Sequence, residues 1–355
     1  MKRSKLLIVC KNQFGYLIDA YKWCEHLKDE YEITYLCFNT GQQIINMPGI
    51  NIKYVNYSGP NYIRGLRFML YAIKNIAFFK GKIIIVYFDY CKFLKLLFPA
   101  KKLILDIRTL SISPIKAQRY KYDRTLISTC KYYDIISVVS EGIKKKIKIT
   151  NKEKIHVLPL GADIISQEQK DYTTLKLLYV GTLSGRNIDK TIEGISIFHK
   201  KYPQIKLSYD IIGSGINNEV ETYKVLTKRL NIDNLVTLYG QIPHTQLKSF
   251  FDKSNIGVSF IPMTEYYDMQ PPTKTFEYIL SGLYCIATST SENKKVISPL
   301  NGILIKDSAI DFANGIEQIY NNRKVIQESN IRNSLQESLW SNIVNNKLRK
   351  ILSLG

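Results

Sequence analysis

Short apolar runs rich in β-branched residues alternate with helix-like segments along almost the whole chain, and this alternation constrains the fold more than any other feature. In the first half the strand-like runs are 6–10, 32–38, 50–57, 82–88, 103–107, 134–140 and 155–160. Helix-like segments lie at 16–28, 63–79, 116–133 and 141–149. In the second half the runs are 175–181, 206–213, 236–240, 256–260 and 284–288, with helices expected to start near Asn187, Asn218, Thr245, Pro272 and Ile310. Strands that are apolar throughout belong in parallel sheets covered on both faces. Two such sets in 355 residues predict two doubly wound, Rossmann-like α/β domains facing a cleft. The polar, aperiodic stretch 165–174 is the expected boundary. The expected organisation is an N-terminal acceptor-binding domain at 1–165 and a donor-binding domain at 172–335. A helix at 336–355 is expected to cross back to the first domain.

Composition narrows the class. The net charge is +20, from 50 Lys and Arg against 30 Asp and Glu, which calls for an anionic partner or surface. The 6 cysteines are scattered without a Cys-x-x-Cys pair, so reduced thiols in a cytoplasmic protein are expected rather than a disulfide scaffold or a zinc site. The 4 histidines are also far apart, and no metal site is expected. The start, Met-Lys-Arg-Ser-Lys, looks like a signal-peptide n-region, but the apolar run behind it is too short and ends at Lys11. No stretch reaches the roughly 18 apolar residues that would span a bilayer.

Strand ends in the second half carry residues suited to a nucleotide diphosphate. Gly181-Thr-Leu-Ser-Gly185-Arg186 combines a tight loop with a guanidinium that could clamp phosphate. Gly213-Ser-Gly215 and Gly240-Gln241-Ile242-Pro243-His244 end the next two runs, and Ile242 could pack on a flat base. The segment 271–282 then reads as a loop turning into a helix, with Pro272 at the first helical position and Gly282 just past the end. A helix start attracts phosphate, and Lys274 adds charge beside it. Glu277, three residues on, could accept two hydroxyl hydrogen bonds from a ribose. Each motif alone is compatible with an ordinary surface turn or an exposed ion pair; their order and spacing carry the weight.

Taken together, Tyr-Val-Gly181-Thr-Leu, Arg186-Asn-Ile-Asp-Lys, Ile-Ile-Gly213-Ser-Gly215, Tyr-Gly240-Gln-Ile-Pro243 and Pro272-Thr-Lys274-Thr-Phe-Glu277-Tyr resemble the donor half of retaining glycosyltransferases of the GT-B fold, family 4 type. Val157-Leu-Pro-Leu-Gly161-Ala-Asp163 resembles the strand entering that family's interdomain linker. The resemblance implies transfer of a sugar from a nucleotide-diphosphate donor to a hydroxyl, with retention. Arg186 matches a basic residue that neutralises the diphosphate, while the usual Arg after the strand-end glycine is Thr182 here. Glu277 matches the second Glu of a Glu-x7-Glu motif and should hold the ribose. The first Glu is replaced by Met269, so either Asp268 or main-chain N–H groups of residues 270–273 should hold the sugar. Arg186, Lys274 and Glu277 are the expected catalytic residues. Gly181, Gly213, Gly240, Ile242, Asp268, Pro272, Thr273 and Thr275 should line the donor site.

No general base is expected, since the leaving phosphate can take the acceptor proton, and no Asp-x-Asp motif stands at a strand end. Transfer should therefore be metal-independent, with no cofactor beyond the donor itself. On the acceptor side, Gly15, Asp106 and Arg108 are expected to face the cleft, although Asp106 and Arg108 could equally form a salt bridge. Lys and aromatic residues between Tyr62 and Lys102, and again at Lys144–Lys148, suit docking on anionic lipid. A peripheral enzyme on the inner face of the plasma membrane follows, acting on a lipid-linked or glycan acceptor in capsule, exopolysaccharide or O-antigen assembly. Rival readings are a nucleotide-sugar epimerase of the same fold, an inactive paralogue, and a basic nucleic-acid-binding protein. No nucleic-acid-binding signature is present, so nucleic acid is not an expected partner.

Overall fold

A computed structural model describes residues 3–149 and 151–355. The chain divides into two compact units, Met1–Leu160 with Trp340–Gly355, and Gly161–Leu339. The first holds a seven-stranded sheet of β1 (Ser4–Val9), β2 (Tyr31–Asn39), β3 (Ile50–Asn56), β4 (Lys82–Val86), β5 (Leu103–Ile107), β6 (Ile135–Val138) and β7 (Ile155–Val157). Their order is β3-β2-β1-β4-β5-β6-β7, and every neighbouring pair is parallel. Alternate residues feed opposite faces. Leu7, Val9, Ile83 and Ile85 join one core, whereas Leu6, Ile8, Ile84 and Val86 join the other. That two-sided burial is why the strands read as unbroken apolar runs.

The second unit repeats the plan with six parallel strands. These are β8 (Leu175–Val180), β9 (Leu207–Ile212), β10 (Val236–Gly240), β11 (Ile256–Ser259), β12 (Tyr284–Thr288) and β13 (Gly302–Ile305), ordered β10-β9-β8-β11-β12-β13. The two doubly wound sheets match the expected class. The edge strand β13 was not foreseen, because Ile303-Leu304-Ile305 is a three-residue apolar run with no alternation to mark it.

Two expectations change. The stretch 165–174 does not separate the units but packs on the second one. Ile165 N–H donates to Ser281 Oγ at 2.9 Å, buried Tyr172 donates to Gly282 O at 2.8 Å, and buried Lys170 donates to Phe251 O at 2.6 Å. Its polarity serves side-chain-to-backbone bonds, which hydrophobic periodicity cannot register. The return to the first unit comes at Trp340 rather than at residue 336. Trp340, Val344, Leu348 and Leu352 join the core containing Trp23, and Lys82 Nζ donates to Leu352 O at 2.5 Å and Gly355 O at 3.0 Å.

Candidate functional site

Three glycines end three adjacent strands of the second sheet. Gly181 N–H donates to Ile212 O at 3.0 Å, and Gly213 N–H donates to Gly240 O at 2.8 Å, so the strand ends stay stitched together past the regular sheet. Gly213 has φ +154°, and a Cβ there would lie 1.8 Å from Gly181 O. Only glycine permits that approach. Gly215, two residues on, leaves room for the Glu219 carboxylate, which accepts from Ser184 Oγ and from Asn217 N–H at 2.8 Å. The result is a floor of bare backbone at the carboxyl ends of β8, β9 and β10.

Cations rise beside this floor. Lys274 Nζ stands 3.8 Å from the centroid of the Tyr179 ring and 3.5 Å from where a Cβ on Gly181 would sit. Burial, and then the positive charge of Arg186, hold its amine well below the usual lysine range. Arg186 lies with its guanidinium 4.3 Å from the centroid of Tyr267. Neither cation has a carboxylate within salt-bridge distance among the described residues. Tyr179 and Tyr267 were not singled out from sequence, because an aromatic under a cation is a tertiary pairing with no fixed spacing. Tyr179 is itself buried and donates to Thr182 O at 2.6 Å.

The helix Thr273–Leu280 presents its start here. Pro272 is the N-cap rather than the first helical residue, with φ −86° and ψ 116°. Its end is a Schellman motif: Gly282 N–H donates to Ile279 O at 3.0 Å and Leu283 N–H to Tyr278 O at 2.9 Å, with Gly282 at φ +78°. Phe276, Ile279 and Leu280 face the core, which leaves Lys274 and Glu277 on the other, partly buried side. Glu277 Oε1 lies 3.6 Å from His244 Nε2 in the loop after β10, a neighbour that sequence spacing did not suggest. Ile242, in the same loop, is half-buried against the core.

Three expected donor contacts are corrected or narrowed. Thr275 is fully buried; its Oγ1 pairs with Ser259 Oγ at 2.7 Å and donates to Asn293 Oδ1 at 3.1 Å, so it anchors the helix and cannot meet a ligand. Asp268 accepts from Ser291 N–H at 2.8 Å and from Ser291 Oγ at 2.5 Å, which leaves both of its carboxylate oxygens engaged. Among residues 270–273, Gln270 N–H is spent on Tyr267 O at 3.0 Å and two prolines have no N–H, so Thr273 alone remains as a backbone donor.

The expected acceptor residues of the first unit also differ. Asp106 and Arg108 do not face solvent. Arg108 donates to Asp19 and to Leu158 O at 2.9 Å, lies 3.6 Å from Asp106 Oδ1, and has Trp23 beneath it. Asp106 is fully buried and accepts from Ser137 Oγ at 2.6 Å. Burial pushes its carboxyl up to about 6, against the pull of Arg108 and Ser137. This is a buried ion network within the unit, which a Leu-Asp-Ile-Arg string cannot distinguish from a site. Gly15 lies at φ +91°, where a Cβ would come 2.4 Å from Ile45 Cδ1.

Residues 162–337 match the family described as glycosyl transferases group 1. The second unit is a group 1 glycosyltransferase domain. Solved structures agree on the fold over the whole chain. Sucrose-phosphate synthase from Thermosynechococcus elongatus is 15% identical with a TM-score of 0.76, covering 99% of this chain and 100% of its own. Anabaena Alr3699/HepE in complex with UDP is 12% identical with a TM-score of 0.75, covering 100% of each chain. WaaG, a glycosyltransferase involved in lipopolysaccharide biosynthesis, is 12% identical with a TM-score of 0.72, covering 99% and 100%. The architecture is therefore GT-B. No curated protein sequence matches the chain. Among the described residues, no helix is long and apolar enough to cross a membrane.

Proposed function

We propose that the protein is a retaining, metal-independent glycosyltransferase of the family 4 type, using a nucleoside diphosphate sugar as donor. One observation carries the reading: two cations, Arg186 and Lys274, stand on aromatic faces beside a floor of bare glycine backbone, with no carboxylate within salt-bridge distance of either among the described residues. Such a pair is short of an anion, and a diphosphate supplies it at the end of the sheet where ligands of this architecture bind. The first N–H groups of the helix Thr273–Leu280 add a third positive contribution. As the bond to the sugar breaks, negative charge grows on the diphosphate, and these fixed groups stabilise it without reorganising. The phosphate oxygen then takes the acceptor proton on the same face, so no protein base is required. Glu277, steadied by His244, accepts from the ribose hydroxyls.

UDP is the first nucleotide to test, because a structure with this fold binds it. Calorimetric titration with UDP, GDP and ADP should give saturable binding of one of them, reduced in Lys274→Met. Absence of binding by folded protein to all of them would sink the donor assignment.

The acceptor is lipid-linked in this reading, in capsule, exopolysaccharide or O-antigen assembly, as the similarity to WaaG supports. The helix Asn61–Phe78 leaves Leu70, Tyr71 and Phe78 exposed beside Arg67 and Lys74. That mixture suits the anionic inner face of a plasma membrane. Flotation with vesicles should depend on anionic lipid; equal recovery with neutral vesicles would remove the membrane from the proposal.

A further inference from the structure

A cavity of about 940 Å³ opens in the first unit at the place where its strand order reverses. The chain runs from β1 outward through β2 to β3, then returns to lay β4 on the other side of β1. The crevice beyond the carboxyl ends of such a pair is where doubly wound sheets bind ligands. Lys11 and Asn12, just after β1, and Phe88–Tyr90, just after β4, line it. Gln13 builds its wall, donating to Gln42 O at 2.8 Å while accepting from Thr40 N–H at 2.8 Å.

Tyr90 is the telling residue. Its φ is +70°, and the other non-glycine residues with positive φ are all asparagines, which tolerate that region. A tyrosine held there is strained, and such strain collects at ligand sites. No burial offsets it, since Tyr90 is 66% exposed, resting on Phe93 at 6.5 Å between centroids and 16° between planes. Tyr62, which also lines the cavity, is 75% exposed. Flat phenol rings kept open to solvent suit the C–H face of a sugar ring, with amides such as Asn12 near its hydroxyls.

The charge is also uneven. Arg64 stacks 4.1 Å from the Tyr57 centroid and donates to Asn61, and Lys11 Nζ stands 5.2 Å from the Phe88 centroid. Neither has a carboxylate within salt-bridge distance among the described residues, and Asp89 is the one acid lining the cavity. The rest of the lining includes Phe38, Leu66, Met69 and Phe88, so the cavity pairs an apolar, aromatic wall with two cations, which fits the C–H faces and the acidic group of an anionic sugar.

We infer that this cavity is the acceptor site and binds an anionic saccharide, its sugar rings on Tyr62 and Tyr90 and its carboxylate or phosphate at Lys11 and Arg64. The word acceptor rests on the transferase reading above; the binding of an acidic saccharide does not. The test probes an array of bacterial oligosaccharides, neutral, uronate-bearing and phosphorylated, with full-length protein and with Tyr62→Ala, Tyr90→Asn and Lys11→Gln. UDP binding is measured in parallel by calorimetry. Wild-type protein should bind acidic spots, the two tyrosine variants should lose them at least tenfold, and Lys11→Gln should lose its preference for acidic over neutral spots. Uronate-only or phosphate-only binding each supports the inference and names the anion. Because asparagine accepts positive φ, Tyr90→Asn should melt no lower than wild type, which separates lost binding from lost folding. Binding unchanged in the variants, a preference for neutral glycans, or no glycan binding by protein that still binds UDP would overturn the inference. Acidic-glycan binding without any nucleotide binding would leave the cavity standing and remove the transferase reading instead.

Discussion

Arg108 and Arg186 both lie beyond strand ends of parallel sheets, and their surroundings are opposite. Arg108 is buried among Asp19, Asp106 and Leu158 O, its charge answered within the unit. Arg186 is partly exposed on the face of Tyr267, with no carboxylate within salt-bridge distance among the described residues. An aromatic face orients a guanidinium while leaving its N–H groups available, whereas carboxylates consume them. The difference separates a cation that holds a domain together from one that awaits a ligand, and it predicts that the two arginines fail in different assays.

The largest effect is expected at Arg108. Arg108→Ala leaves Asp19 and Asp106 as buried, uncompensated carboxylates, which should destabilise the protein by about 3–5 kcal/mol. Denaturant unfolding followed by a probe in the first unit measures it, and UDP affinity at low temperature should be unchanged. A loss below about 1 kcal/mol would place Arg108 in the class of surface pairs and break the contrast.

Arg186→Ala should do the reverse: hold stability and weaken UDP binding roughly ten- to a hundredfold, the worth of a lost charged hydrogen bond. Lys274→Met sharpens the point. Its amine is held below the usual range, so folding carries a penalty that is fully present below that lowered value and lifts as pH rises toward the free-lysine value of about 10.4. Removing the amine should therefore raise the melting temperature at neutral pH, by an amount that shrinks toward pH 10, while UDP binding weakens. A variant that both melts lower and binds UDP normally would contradict the assignment.

Glu277→Ala should cost roughly tenfold in UDP affinity, as for about one charged hydrogen bond, with little effect on stability, since its side chain still reaches solvent and its contact with His244 is as long as 3.6 Å. Calorimetry comparing UDP with uracil-free ribose 5-phosphate would show whether the loss follows the ribose. The smallest effect is expected at Asp106→Asn. A carboxyl raised to about 6 in the folded state contributes stability at low pH that is lost as pH climbs from about 4 through about 6. Asp106→Asn should flatten that fall in melting temperature and change nothing in nucleotide binding. An unaltered profile between pH 4 and 6 would show that Asp106 titrates normally.

The parallel sheets were legible in the chain because burial on two faces writes itself as apolar, β-branched runs; β13 escaped because its run is too short to carry a pattern. The strand-end glycines were legible for a related reason. A Cβ on Gly213 would lie 1.8 Å from Gly181 O, so the residue type records the contact directly. Thr275 and Asp268 show the opposite. Both sit at the expected spacing in the helix and the preceding loop, yet their partners are Ser259, Asn293 and Ser291, which no local spacing connects to them.

The sequence by itself determined the α/β class, the strand-end glycines and the helix at residues 273–280 with its glycine terminator. These follow from periodicity and from backbone requirements, which are local and therefore written in residue order, whereas the grouping of Arg186, Lys274 and Glu277 was an expectation from the family resemblance. Only the tertiary structure decided that Asp106 and Arg108 are consumed by Asp19 and Ser137, that Tyr179 and Tyr267 lie beneath the two unpaired cations, and that a strained Tyr90 lines an open cavity. Whether a charge is answered or left open depends on what the fold brings to within 4 Å of it, and electrostatic pairing has no period along a chain.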